Sequence, residues 1–172
     1  MFYLIRHGNV DYSQQNTKIY QGYGVNLSPL SQLGIAQIQQ TSKDIRLKNA
    51  DLILTSPYTR ALQSAAILSK ELNVDIVVET DLHEWIANKN YIYDHDDVAV
   101  AAYEEYTANC GAYPEGEERA WETAQSIKNR VMPVLEQYKH LSKVVVACHG
   151  TLIQALTGKH IPKNGEIVEF EL

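Results

Sequence analysis

Residues 144–148, Val-Val-Val-Ala-Cys, form an unbroken apolar run between Lys143 and His149. The run has the length of a strand and is rich in β-branched residues, which suit extended backbone. A strand that is apolar at every position must be covered on both faces, which is the condition of a parallel sheet between two layers of helices. The rest of the chain supplies the parts for that arrangement. Phe2–Ile5 reads as a strand that ends at Arg6, residues 51–56 as a second short strand, and residues 74–78 as a third.

Helical periods lie between these strands. Residues 28–48 put Ile35, Ile38 and Ile45 on one helical face, with Ser31 placed to cap the start. From Tyr58 to Leu72, the positions Leu62, Ala65, Ala66, Leu68 and Leu72 suit a helix lying on a sheet. A longer helix is expected from about Glu118, with Ala120, Ala124, Ile127, Val131 and Leu135 in one stripe and Pro133 kinking it. Residues 151–156 read as one or two helical turns, and the alternation in residues 166–172 as a final strand. The expected fold is α/β, three-layered α-β-α with a mostly parallel central sheet, in a single domain over residues 1–172.

Residues 85–118 fit neither period. They hold Trp85, five tyrosines and eight carboxylates against one basic residue, Lys89. A structureless loop that long is unusual inside a compact domain, and its tyrosine content argues against disorder, so a small lid subdomain is expected.

The composition excludes several classes of partner. A chain of 172 residues with a formal net charge of −6 and no run of Lys and Arg offers no track for a phosphate backbone, so nucleic acid is not expected. Apolar stretches of strand length leave no membrane span, and the two cysteines, Cys110 and Cys148, point to a reducing interior. A soluble cytoplasmic protein is expected, of undetermined oligomeric state. Any anion it binds must be held by a local constellation.

Such a constellation is visible where strands end. The first strand runs into Arg6, His7 and Gly8; the second is followed by Arg60 near a helix start; the buried run ends at His149, before a glycine. Strand ends are where α/β sheets bind ligands. Two arginines, two histidines and nearby helix N-termini are what a phosphoryl group requires: fork donors, neutralised charge, and an imidazole able to attack phosphorus.

In this order, "LIRHG", "QGYGVNLSPLSQLGIAQ", "TSPYTRALQSA", "LHEW", "PEGEE" and "VVVACHG" make the chain resemble the histidine phosphatase superfamily, the group similar to cofactor-dependent phosphoglycerate mutases. The resemblance spans nearly the whole chain. It implies that His7 is the nucleophile and becomes a phosphohistidine, that Arg6, Arg60 and His149 clamp the phosphoryl oxygens, and that Glu84 is the general acid and later the base. It implies substrate contacts from Asn16, Gly150 and Thr151, and needs neither cofactor nor metal.

Glu79, five residues before Glu84, is the competing acid, and His95-Asp96 imitates the His-Asp pair that a distant branch uses. His83, His140 and His160 read as surface groups. Two departures from the family pattern stand out: Asn9 follows Arg-His-Gly where Glu or Gln is usual, with Ser13 where an Asn is expected, and the Asp usual before Pro29-Leu30 is missing.

The implied activity is a phosphomonoesterase acting on a small phosphorylated metabolite. Mutases of the family grip a second anion with basic lid residues, whereas this chain has only Lys70 and Lys89 between Arg60 and Arg119. Phosphoglycerate mutase-type transfer and an inactive phospholigand-binding module are the alternatives.

Overall fold

The computed structural model describes every residue except Tyr93 and Asp94, so those members of the acidic, tyrosine-rich stretch lie outside the described residues. The element order is β1 (Phe2–Arg6), α1 (Gln32–Thr41), β2 (Leu52–Thr55), α2 (Thr59–Leu72), β3 (Ile76–Val78), α3 (Asp96–Ala108), α4 (Ala124–Gln137), β4 (Val144–Cys148), α5 (Gly150–Thr157) and β5 (Ile167–Phe170). The strands form one sheet in the order β3-β2-β4-β1-β5. β4 is central, parallel to both β1 and β2, and β3 is parallel to β2. Only β5 runs antiparallel, against β1. The three-layer, mostly parallel α/β architecture is therefore as the sequence indicates.

All five residues of β4 are buried, and their alternation builds two cores. Val144 and Val146 point to one face with Leu4 and Leu54, against Ile127, Val131 and Leu135 of α4 and Leu152 of α5. Val145 and Ala147 point to the other with Ile5 and Ile53, against Ile38 of α1 and Ala65 and Leu68 of α2. Burying each valine or leucine contributes ~1.5–3 kcal/mol relative to exposure, so the two faces of β4 anchor both helical layers.

Three helices differ from their expected extent. α1 is capped by Ser31, whose hydroxyl accepts from the Gly34 amide, but it stops at Thr41. Asp44 then caps a separate 3-10 turn, Ile45–Leu47, which buries Leu47 and leaves Ile45 exposed. In α2 the buried stripe is Arg60, Ala61, Ser64, Ala65 and Leu68, while Leu62 and Ala66 face solvent. Small residues at 61, 64 and 65 let this helix sit close to the sheet, which a count of apolar positions alone does not register. α4 begins at Ala124, where Thr123 caps it, rather than near Glu118, and Pro133 is accommodated within it. Ala120 lies ahead of the helix, beside the buried Trp121 and Glu122.

Residues 85–118 contain α3, which sequence periodicity missed because only Asp96 and Tyr106 of this helix are buried. The segment is held by aromatic contacts instead. Trp85 packs on Tyr103 and Tyr106, and Trp121 on Tyr106 and Tyr113, with ring centroids 4.8–5.6 Å apart. His95 caps α3, with Nδ1 accepting from the Asp97 amide, and Asp96 accepts from Gln15 Nε2. The His95-Asp96 pair thus fixes a helix start. Among the described residues no helix is long and apolar enough to cross a membrane.

One close backbone approach sets the loop after β1. A Cβ on Gly8 would lie 2.4 Å from the Gly34 carbonyl oxygen, and one on Gly34 would lie 2.1 Å from that of Asn9. Asn9 is tied to the same helix start, its amide donating to Gln37 Oε1 and its Oδ1 accepting from Ser31 Oγ. Gly34→Ala should therefore destabilise the fold by about 1–3 kcal/mol, the usual cost of overpacking. Thermal unfolding should show a drop of roughly 2–4 °C per kcal/mol. An unchanged midpoint would contradict the close approach.

Candidate active site

β1 and β4 are paired so that Arg6 lies opposite Cys148, which makes the next residue of each chain segment a histidine. The His7 amide donates to the Cys148 carbonyl at 3.0 Å, and the two imidazoles meet edge to face with centroids 5.2 Å apart. β2, on the other side of β4, adds Ser56, whose amide donates to the Ala147 carbonyl and whose hydroxyl lies 2.7 Å from His149 Nε2. The first turn of α2 then brings in Arg60, which is buried. Arg6, His7, Arg60 and His149 are thus assembled by three adjacent strand ends.

The state of His7 follows from its surroundings. Its Nδ1 is 2.7 Å from the Gly8 carbonyl, an acceptor only, so Nδ1 carries the proton and Nε2 keeps its lone pair. Burial, reinforced by Arg60 and Arg6 and opposed by the Gly8 hydrogen bond, lowers its pKa to about 3. His149 is fully buried and is pushed well below the ordinary histidine value by burial first, then by Arg60 and His7. Ser56 Oγ accepts from the Tyr58 amide and keeps its proton and a second lone pair for His149 Nε2; when Ser56 donates, His149 Nδ1 carries the ring proton.

Among the described residues, three buried side-chain polar atoms have no hydrogen-bond partner: Arg6 Nε, Arg60 Nε and His149 Nδ1. All three belong to this cluster. Unpaired buried polar atoms are costly, and such a concentration of them among cationic and imidazole groups is a feature of anion sites. The outer arginine nitrogens are anchored, with Arg6 Nη1 donating to the Pro162 carbonyl at 2.8 Å and Arg60 Nη1 to Asn26 Oδ1 at 3.1 Å. The guanidiniums are held before any ligand arrives.

Glu84 follows the 3-10 turn Thr80–Leu82 and reaches the start of α5. Its Oε1 accepts from the amides of Trp85 and Leu152 at 2.8 and 3.2 Å, and its Oε2 from that of Thr151 at 3.3 Å. Glu79 instead binds the Tyr138 hydroxyl, away from this cluster. Gly150 and Thr151 form the buried first turn of α5, and a Cβ on Gly150 would lie 3.2 Å from Arg6 Nε. Asn16 stands exposed with a left-handed backbone, its amide donating to the Tyr20 carbonyl. Its side chain makes no hydrogen bond to Arg6, His7, Arg60 or His149; the asparagines that touch the cluster are Asn26, which accepts from Arg60 Nη1, and Asn164, whose Nδ2 donates to the His7 carbonyl at 2.8 Å.

Several participants escape the sequence reading. His83 is 7 % exposed, not a surface group, and its ring packs 6.2 Å from that of Tyr58. Tyr58 itself lies edge to face on His149 and beneath the Arg60 guanidinium. Ser56 and Tyr58 fall inside the motif around Arg60, so their proximity was available as a signal; their contacts with His149 were not. Asn26 and His83 also fall inside motifs, "QGYGVNLSPLSQLGIAQ" and "LHEW", but nothing local to them indicates contact with Arg60 or Tyr58.

The family model of the histidine phosphatase superfamily (branch 1) matches residues 2–166. The chain is 29% identical over 156 residues to an uncharacterized phosphatase, PhoE, of Bacillus subtilis, covering 89% of this chain and 73% of that protein. It is 27% identical over 157 residues to a putative phosphoserine phosphatase 2 of Hydrogenobacter thermophilus, covering 90% and 75%. Among solved structures, the mycobacterial glucosyl-3-phosphoglycerate phosphatase superposes with a TM-score of 0.69 at 21% identity, covering 96% of this chain and 87% of that one.

The lowered His7 value has a consequence for acid stability. Between 6.5 and about 3, the unfolded chain binds a proton at this position that the folded chain does not. The His7 contribution therefore erodes stability as pH falls through that window and adds nothing further below it. Ring nitrogen shifts of His7 should report a neutral Nδ1–H tautomer from pH 8 down to pH ~4, within about a unit of that value. Titration near the unfolded value would contradict the described environment.

Proposed function

Because the chain belongs to the histidine phosphatase superfamily, we propose that it is a phosphomonoesterase that hydrolyses a small phosphorylated metabolite through a phosphohistidine on His7. The observation that carries this reading is the set of unpaired buried polar atoms, Arg6 Nε, Arg60 Nε and His149 Nδ1, in residues that cluster with an imidazole whose Nδ1 is the protonated nitrogen. The two arginine donors, with His149 Nδ1 in its N–H tautomer, fit a phosphoryl group whose charge spreads over its outer oxygens in the transition state. Gly150 and Thr151, in the buried first turn of α5, are taken as further substrate contacts, through the Gly150 amide and the Thr151 hydroxyl, since Glu84 engages the Thr151 amide. Asn16 is kept as a further phosphate contact on the family resemblance alone.

In the first step His7 Nε2 attacks phosphorus, the P–O bond to the leaving group breaks, and the departing oxygen takes a proton from the Glu84 carboxyl. The phosphorylated imidazole is then cationic, because Nδ1 keeps its proton and goes on donating it to the Gly8 carbonyl. The cationic ring is a good leaving group for the second step. There the Glu84 carboxylate takes a proton from water, the hydroxide oxygen bonds to phosphorus, and the P–N bond breaks to release phosphate and neutral His7.

Charge in residues 85–118 favours hydrolysis over mutase-type transfer. Lys89 is committed to Glu118 at 2.9 Å, and Arg119 pairs with Glu105 and Glu117, so neither is a free cation for a second anion. This segment, acting as a lid, leaves an acidic approach to a cationic pocket.

Replacing His7 by Ala should abolish both turnover and the acid-labile, alkali-stable phosphoryl label trapped by quenching. Turnover at the normal rate in that variant would remove His7 from the nucleophile role. The lid charge gives a second test, because long-range repulsion weakens once salt shortens the Debye length to about 10 Å or less. The kcat/KM for a neutral sugar monophosphate should exceed that for 3-phosphoglycerate, with the gap narrowing as ionic strength rises. Isomerisation of 3-phosphoglycerate without net phosphate release would restore the mutase.

A further inference from the structure

The segment that carries Glu84 is gripped from behind by a buried ion pair. Arg130 of α4 and Glu122, whose side chains are 13% and 4% exposed, are bonded bidentately, Nε to Oε1 at 2.7 Å and Nη2 to Oε2 at 3.0 Å. The same guanidinium reaches two carbonyls across the turn: Nη1 donates to that of Asp81, and Nη2 lies 3.5 Å from that of Glu84. His83 Nδ1 donates to the Glu84 carbonyl as well, at 2.7 Å. Glu122 is stitched to the same stretch through its backbone, its amide donating to the Ile86 carbonyl at 3.0 Å and its carbonyl accepting from Trp85 Nε1 at 2.7 Å. Residues 81–86 are therefore held at one end by the Arg130 guanidinium and at the other by the backbone of Glu122, which the ion pair joins.

A buried ion pair of this sort is a poor source of stability, because removing two charges from water offsets most of their attraction. What it does supply is geometry. Arginine presents several donors in a rigid fork, so one residue can bind a carboxylate and two carbonyls at fixed angles, which a lysine ammonium cannot. Fixing the carbonyls of Asp81 and Glu84 fixes the Cα of Glu84 between them, and with it the arc its carboxyl can sweep from the start of α5. We infer that Arg130, locked by Glu122, is a positioning residue for the Glu84 carboxyl: it touches no reacting atom and acts by setting where the proposed acid stands. The inference rests on the assignment of Glu84 as proton donor.

The test compares kcat/KM, which reports the phosphorylation step, for ethyl phosphate and for 2,4-dinitrophenyl phosphate, whose leaving group needs no proton. Glu84→Gln is the reference and should lower the ethyl phosphate value by ~100-fold or more, the usual range for a lost general acid, with the dinitrophenyl value nearly unchanged. Arg130→Lys should show the same selectivity at a loss of roughly 10–100-fold, as expected for a group displaced by about an ångström. Combined with Glu84→Gln, it should cost almost nothing more.

The ratio of the two kcat/KM values does not depend on the folded fraction, so partial unfolding of the variant cannot imitate the result. Glu122→Gln, which keeps the shape of the pair, should move the ratio in the same direction. Equal loss on both substrates in the Arg130 and Glu122 variants, or full additivity with Glu84→Gln, would overturn the positioning role while leaving the acid role intact. A Glu84→Gln variant without leaving-group selectivity would overturn both.

Discussion

The parallel pairing of β1 with β4 is the constraint on which the site depends. Because Arg6 lies opposite Cys148, the residue after each strand end emerges at the same level, and both are histidines. A slip of one residue would turn the side chains of β1 to the opposite face and part the two imidazoles. The register is held by the double burial of β4, whose Val144 and Val146 belong to one core and Val145 and Ala147 to the other. The same apolar run that supports both helical layers therefore sets the spacing of His7 and His149.

Burial governs the chemistry available there. An imidazole held in a dry, cationic environment stays neutral, and a neutral ring with Nδ1–H on a carbonyl has one free lone pair. The cations responsible, Arg60 and Arg6, are the ones whose Nε atoms lack protein partners. Their charge thus has two effects: it keeps the histidine unprotonated, and it remains uncompensated until an anion arrives. The cost of burying it is met by packing elsewhere in the fold, as is common where function requires unsatisfied polar groups.

Glu84 illustrates a different kind of dependence. Its carboxylate is bound by three backbone amides, two of them in the first turns of α5, so it rests on the helix end that also faces the cationic cluster. Its backbone is braced by Arg130 from α4, on the side of the sheet that α5 also covers. The packing of α4 and α5 on one face of β4 is therefore coupled to the placement of the carboxyl.

Much of the fold was legible in the sequence, and for definite reasons. A run such as residues 144–148 has one stable environment, strand ends in α/β sheets have one favoured use, and the Arg6-His7-Gly8 and Cys148-His149-Gly150 stretches carry their resemblance locally. Helix extents were less legible, because α1 ends where Asp44 starts a new turn and α2 buries small residues in preference to Leu62. α3 was hidden because its attachment is aromatic and Tyr106 alone of its apolar positions is buried.

What tertiary structure alone decided is which distant residues share the site. Asn26 reaches Arg60, Ser56 and Tyr58 support His149, His83 is buried, and Arg130 with Glu122 holds the turn before Glu84. None of these pairings follows a sequence period, since each joins different elements across the sheet or between helix and loop. Local sequence determined the strands, the core and the residues proposed for phosphoryl chemistry; the packing of α2, α4 and the intervening loops determined their partners, because long-range contacts exist only once the layers have closed.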